Sequence, residues 1–281
     1  METGNLSRKD SKYHGALSAT AAKIAYENKA FIKNTVENHW KFVKRKTPYK
    51  PSCFMIKIPI LMIKSWPSEV PSPLMQMRGA LTSIFPGSSS GKVHGGFMKA
   101  LGLTEKDVTG HSLGGALAIL FTAILALHDE ELLLKRLEGV YTFGQPRVGD
   151  EVFQKFMKKQ LKVHDIKYHR IVYGNDLVPR VPSDSPTFLF KHFGKCLYYN
   201  SFYKQKALEE EPNKNYFDPR AAMSKHLTAI WELIRSFIIP YAKGPEYKES
   251  WLLKAIRVFG VIIPGVAAHN PQDYVNATRL G

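Results

Sequence analysis

The spacing of apolar residues changes character several times along the chain. Between residues 16 and 40, Ala21, Ile24, Ala25, Ala30, Phe31 and Ile32 recur among Lys and Glu, which predicts a helix. Seven prolines then fall within residues 41–90, at positions 48, 51, 59, 67, 71, 73 and 86. Proline breaks helices and is confined to the edges or bulges of sheets. That stretch is expected to be irregular and poorly ordered, with one short strand inside residues 53–63.

Order returns at "GKVHGGFMKALGL", residues 91–103. Residues 114–127 are apolar almost all round, the pattern of a buried helix, and residues 130–137 form a second helical piece. "GVYTFG" (139–144) reads as a strand closed by Gln145-Pro146. Asp150 caps a helix whose apolar residues Val152, Phe153, Phe156, Met157 and Leu161 follow helical spacing. "KYHRIVYGND" (167–176) is a strand running into a turn. Asp218-Pro219 opens a helix to about residue 239, with proline at its first position. Residues 247–263 form another, stopped by Pro264-Gly265. Strands alternating with helices predict an α/β fold: one domain over residues 1–281, with a mainly parallel sheet covered on both faces.

Composition fits that picture. A chain of 281 residues that is 44% hydrophobic has enough apolar material for one large domain. The formal net charge of +16 favours anionic partners, either nucleic acid or an anionic lipid surface. Residues 41–64 supply seven of the basic residues and no acidic ones. No nucleic-acid recognition motif accompanies them, so the charge alone argues for no nucleic-acid partner. Cys53 and Cys196 form neither a disulfide framework nor a metal set, and a reducing compartment is expected. The polar start "METGNLSRKDSKYHG" has no apolar core of a signal peptide. No run reaches the roughly 18 apolar residues of a membrane span. Contact with a membrane or lipid surface is therefore expected to be peripheral or through a short hydrophobic segment.

The chemistry is carried by "DVTGHSLGGALAIL", residues 107–120. Gly110-His111-Ser112-Leu113-Gly114 is a Gly-x-Ser-x-Gly pattern, which chance alone would produce roughly 0.1 times in a chain of this length. Gly115, Ala116 and Ala118 then open an apolar helix, and small residues there let it pack beneath a tight turn whose serine is strained. A helix start also directs N–H groups and partial positive charge at a developing oxyanion. Only Val108 and Thr109 look like the strand that should feed such an elbow. The serine needs a base, and the base an orienting acid, in chain order Ser, acid, His. Asp129 lies among helical residues and Asp150 is a cap. Asp165 is a further acid after Ser112; Asp176 sits just past a strand, after Gly174-Asn175, at the carboxyl end where parallel sheets bind ligands, and Asp184 is the runner-up. His226 lies inside a helix and His192 is close to Asp176 in sequence. His269 sits in a loop near the chain end, which can carry an imidazole back over the strand ends.

Four stretches together, "VTGHSLGGALAIL", "YTFGQPRVGD", "YGNDLVPRVP" and "HNPQDYVNATRLG", resemble the class 3 (fungal-type) lipases. The resemblance is greatest to the plant triacylglycerol lipases associated with oil bodies, and "AAKIAYENKAFI" and "GKVHGGFMKALGL" share it. It covers residues 16–40, 91–103 and 107–281. It implies an α/β-hydrolase-like sheet, with Ser112 as nucleophile, Asp176 as orienting acid, His269 as base and the backbone N–H of Leu113 as one oxyanion donor. It implies serine-dependent hydrolysis of acyl esters in triacylglycerols and related lipids. No metal or organic cofactor is implied, and the expected place is the cytoplasmic face of a lipid droplet or membrane. Residues 41–90 depart from the family. They lack its Phe-Arg-Gly-Thr-like turn, the source of a second oxyanion donor, and the crossover before the elbow is short. The expectation is a sheet incomplete upstream of the elbow. The alternative function is a catalytically impaired lipase-like protein that binds lipid surfaces.

Overall fold

The structure, a computed structural model, describes residues 12–24, 26, 53–55, 107–182 and 189–281. Most of the irregular segment predicted for residues 41–90, together with Asp184, lies outside the described residues. Six strands form one sheet in sequence order: β1 (Cys53–Met55), β2 (Asp107–His111), β3 (Gly139–Phe143), β4 (Lys167–Tyr173), β5 (Cys196–Tyr199) and β6 (Gln205–Leu208). β1 to β5 run parallel and β6 closes the edge antiparallel to β5. The elbow strand is longer than the sequence pattern suggests. It spans five residues, all buried, and pairs with β1 on one side and β3 on the other. Asp107, Gly110 and His111 have low strand propensity, but two parallel neighbours override it.

Helices cover both faces, as the alternation of elements predicts. On one face lie α2 (Leu113–Leu127) and α4 (Glu151–Val163), with the short α3 (Glu131–Leu134) between them in the chain. Their side chains Ala118, Ile119, Ala123, Met157 and Leu161 pack with Val108, Val140 and Phe193 in one apolar cluster. Asp150 caps α4 as expected, accepting from Phe153 N at 2.9 Å, although Val152 turns outward. On the other face, α1 (Tyr13–Ile24) and α7 (Pro271–Leu280) lie against the sheet and each other. Alternate strand residues Phe143, Ile171 and Tyr173 meet Ala19, Ala22, Tyr274 and Ala277 there. α1 starts three residues before the predicted position and is built from alanines that let it approach the sheet closely; beyond residue 26 its predicted continuation lies outside the described residues.

Two long helices complete the chain. α5 (Ala222–Lys243) follows a single 3-10 turn at Pro219–Ala221, and α6 (Trp251–Ile262) is capped by Ser250. α5 continues through Pro240, four residues beyond its predicted end, and Gly244 closes it at φ +125. The β5–β6 hairpin was not legible in the sequence, because neither strand alternates cleanly and β6 is largely exposed.

Beneath α5 and α6 runs a buried ionic network. Arg257 donates to both oxygens of Glu249 at 2.7 Å and to both oxygens of Asp273 at 3.0 Å. Arg235 donates to Asp273 at 2.9 Å and to the Tyr173 hydroxyl at 2.8 Å, and that hydroxyl donates to Glu232 at 2.9 Å. These bonds tie α5, α6 and α7 to β4. Burial and the nearby Asp273 push the Glu232 carboxyl upward. Removing one partner of such a cluster leaves buried charge uncompensated. Arg257→Met is expected to lower unfolding free energy by about 3–5 kcal/mol, read by urea denaturation. Because folded Glu232 holds its proton more tightly than the unfolded chain does, its contribution to stability falls as pH rises above the ordinary carboxylate range. Glu232→Gln is expected to flatten that slope; an unchanged slope would remove Glu232 as its source.

Candidate active site

Strand β2 delivers Ser112 to the carboxyl edge of the sheet. The residue adopts φ 58 and ψ −129, a conformation costing on the order of 1–3 kcal/mol that persists only where surroundings enforce it. Its N–H donates to Phe143 O at 2.8 Å, and its carbonyl accepts from Gly115 N at 2.9 Å and Ala116 N at 3.3 Å. A Cβ on Gly110 would lie 2.1 Å from Gly114 O, inside the turn itself. On Gly115 it would stand 3.1 Å from both Gln145 Cβ and Gly110 O. These two glycines let α2 start directly under the serine. Leu113 is the first residue of α2, so its N–H belongs to the helix-start donors that lack an intrahelical partner.

Asp176 follows β4 through a tight turn in which Gly174 has φ +47 and Asp176 N donates to Tyr173 O at 3.1 Å. Arg180 braces this turn, donating to the carbonyls of Asp176, Gly174 (3.1 Å), Pro212 (2.7 Å) and Asn213 (3.0 Å). Arg147 in turn donates to the carbonyls of Arg180 at 2.7 Å and Pro182 at 2.8 Å. The Asp176 carboxylate is fully buried and its bonds are allotted by oxygen. Oδ1 accepts from Val178 N at 2.8 Å. Oδ2 accepts from the Tyr274 hydroxyl at 2.5 Å and faces His269 Nδ1 at 2.8 Å. Burial and Asp176 hold the Tyr274 phenol well above its usual range, so it remains a donor.

His269 ends the 3-10 turn Ala267–His269 that links α6 to α7. Its Nε2 lies 2.7 Å from Ser112 Oγ. With Nδ1 donating to Asp176, Nε2 is left as the acceptor for the serine proton. The structure therefore brings Ser112, His269 and Asp176 into one hydrogen-bonded line, with acid buried and base partly exposed. The geometry is one in which a serine could act as nucleophile, a histidine as base and a carboxylate as orienting group.

Four further contributors were not singled out by sequence. Gly144, at φ +59, lies beneath all three partners: a Cβ there would stand 2.8 Å from Asp176 Oδ2, 2.9 Å from the Tyr274 hydroxyl and 3.0 Å from His269 Cε1. Tyr274 lies on α7, in a stretch expected from the sequence to be a loop, although Asn270 as cap and Pro271 at the first position are a helix-start signal. Arg180 carried no signal beyond its place in "YGNDLVPRVP". His111, within the elbow itself, packs against His269 with ring centroids 4.5 Å apart and the rings tilted by 32°, and its Nδ1 meets the Tyr26 hydroxyl at 2.8 Å. Burial first, then His269, pull His111 down to about 3. It stays neutral at physiological pH and adds no positive charge against an imidazolium forming at His269.

The remaining candidates stand elsewhere. Asp129 and Asp165 are exposed at positive φ, and Asp150 is the cap of α4. His226 is exposed on α5 with Nδ1 2.8 Å from Ala222 O. His192 is buried, its Nε2 2.7 Å from Pro179 O. Burial and Arg170 pull it down to about 3, which suits a structural role beside the Arg170–Glu211 pair.

Several known proteins are similar to parts of this chain. The family described as Lipase (class 3) matches residues 104–185. The protein named triacylglycerol lipase OBL1 from Nicotiana tabacum is 56% identical over 174 residues, covering 62% of this chain and 30% of that protein. Its namesake from Arabidopsis thaliana is 35% identical over 335 residues, covering 94% of this chain and 64% of that protein. The chain thus spans less than two thirds of these relatives. An alignment of 335 residues exceeds the 281 of this chain, so the relative carries stretches with no counterpart here. Among solved structures, the Rhizomucor miehei lipase propeptide complex is 34% identical over 40% of this chain and 34% of its own, with a TM-score of 0.32.

Gly144→Ala tests the assembly without replacing any of the three aligned side chains, because its Cβ would press on Asp176 and His269. Misplacement by about 1 Å can cost roughly 100-fold. Labelling of Ser112 by a fluorophosphonate probe is expected to slow by about that factor while the circular dichroism spectrum is retained. Unchanged labelling would show that Gly144 does not set the alignment.

Proposed function

We propose, from its similarity to the class 3 lipases, that this chain hydrolyses acyl ester bonds in triacylglycerols and related lipids, with Ser112, His269 and Asp176 as catalytic residues. The observation that carries this reading is the line from Asp176 Oδ2 through His269 to Ser112 Oγ, with steps of 2.8 and 2.7 Å. In the proposed reaction His269 Nε2 takes the Ser112 proton as Oγ attacks the acyl carbonyl carbon. The carbonyl electron pair moves to oxygen, and the Leu113 N–H donates to that oxyanion. Collapse expels the alcohol, which His269 protonates. Water, deprotonated by the same imidazole, then attacks the acyl-serine and releases the fatty acid. Asp176 holds the imidazole tautomer and stabilises the imidazolium, and Tyr274 and Val178 N hold Asp176. The site of action in this reading is a lipid droplet or membrane surface on its cytoplasmic side.

One observation favours a slower variant of the same reading. The alignment with the Arabidopsis thaliana relative is longer than this chain, and the sequence of residues 41–90 contains no Phe-Arg-Gly-Thr motif for a second oxyanion donor. Losing one such donor costs roughly 100- to 1,000-fold in rate, which lowers turnover without abolishing it.

Hydrolysis of emulsified triolein by the purified chain tests the reading. Ser112→Ala is expected to lower it by roughly 10⁶-fold and Asp176→Asn by roughly 10⁴-fold. A Ser112→Ala protein as active as the unsubstituted chain would overturn the nucleophile assignment.

A further inference from the structure

The two helices that lead to His269 are inside out. The buried residues of α5 include Lys225, Glu232, Arg235 and Ser236, and those of α6 are Arg257 and Gly260. Their outer faces are apolar. On α5, Met223, Leu227, Ile230, Ile234, Phe237 and Tyr241 are exposed, with Tyr241 at 93% and Met223 at 77%. Steps of four and three residues place these side chains on one helical stripe. On α6, Leu252, Ile256, Phe259 and Ile263 continue the pattern, beside Trp251 at 79% exposure. The helices pack together, and Lys254 Nζ lies 4.0 Å from the centre of the Phe237 ring, which sets the two stripes side by side. Large contiguous apolar surface is rare on soluble proteins and marks a binding face. Here the charged sides of the helices are tied down by the buried network, so the outward apolar face follows from how they are held.

Three observations say what covers this face. First, it runs into the site: Ile262, Ile263 and Val266 are exposed, Gly265 O accepts from Leu177 N beside Asp176, and His269 follows. Second, basic residues lie beside it: Lys254 Nζ stands over Phe237, and in the connection between the two helices Lys243 and Lys248 are exposed against the one exposed acid Glu246. Third, among the described residues no helix is long and apolar enough to cross a membrane. An apolar helical face with lysines beside it suits the interface plane of a lipid layer, with the cations at the headgroups.

We propose that the α5–α6 face docks on a phospholipid monolayer bearing anionic headgroups and thereby seats the Ser112 site against the lipid. This rests on the hydrolase reading only for its purpose; the docking is a property of the face.

Flotation of the full-length chain with phospholipid-coated triolein droplets tests it. Droplets carry phosphatidylcholine alone or mixed with phosphatidylserine, and the Ser112→Ala chain is used so that turnover plays no part. Ile234→Ser combined with Phe237→Ser is expected to weaken droplet binding by roughly tenfold or more. In the catalytically intact background that pair is expected to leave hydrolysis of a water-soluble butyrate ester unchanged. Lys243→Glu with Lys248→Glu is expected to weaken binding to phosphatidylserine droplets only, an effect that salt abolishes in the parent. Droplet binding equal to the parent in the apolar variant would overturn the proposal. So would a lowered unfolding midpoint, which would assign the face to another segment of this chain, or a parent dimer that the variant dissolves, which would assign it to a second copy. Droplet binding without fluorophosphonate labelling of Ser112 would leave the docking face standing and remove the hydrolase reading; labelling without binding would do the reverse.

Discussion

Two backbone hydrogen bonds beyond the ends of the strands govern the site. Ser112 N–H donates to Phe143 O at 2.8 Å and Gly144 N–H to Ile171 O at 3.0 Å. They extend the parallel pairing of β2, β3 and β4 by one step past the last ladder residues, so the three chains leave the sheet at one level. Ser112, Gly144 and the Gly174–Asp176 turn follow from that level edge. The strained serine is enforced by the same bond. Gly144 must then lack a side chain, because the space above it is occupied by the Asp176 carboxylate and the His269 ring.

The imidazole reaches this edge from the other end of the chain, and its approach depends on the second half of the molecule. α6 delivers the Ala267–His269 turn and α7 carries Tyr274 back beneath Asp176. Both helices are fastened through Arg257 and Asp273, with Arg235 bringing α5 into the same cluster. A buried ion cluster adds little net stability by comparison with apolar packing of the same volume. What it does here is orient. It turns the charged sides of α5 and α6 inward, closes the polypeptide around His269, and leaves the apolar sides facing out next to the site. Catalytic geometry and the apolar face are in that sense products of one arrangement.

Much of the machinery was legible because it is local. The elbow pattern, the small residues after it, the cap at Asp150 and the strand before Asp176 are all short-range signals, and each element formed where its pattern lies. Errors arose where neighbours override local preference. Asp107, Gly110 and His111 do not look like strand residues, yet β3 pairs with all three and β1 with Asp107, which holds them in one. α5 runs through Pro240 although proline usually ends a helix. The β5–β6 hairpin has no alternation to betray it, because one strand is half-covered and the other lies open at the edge.

The sequence by itself determined the chemical types present and their order: a strained serine before an apolar helix, an acid after a strand, a histidine in a late loop. Those follow from steric and hydrogen-bonding rules acting over a few residues. Only the tertiary structure decided which partners meet. That His269 rather than His192 faces Ser112, that Tyr274 and Gly144 complete the Asp176 site, and that a neutral His111 packs against His269 all depend on contacts spanning tens to more than a hundred residues. No local pattern encodes them, because they exist only once the parallel edge is level and α7 has folded back beneath it.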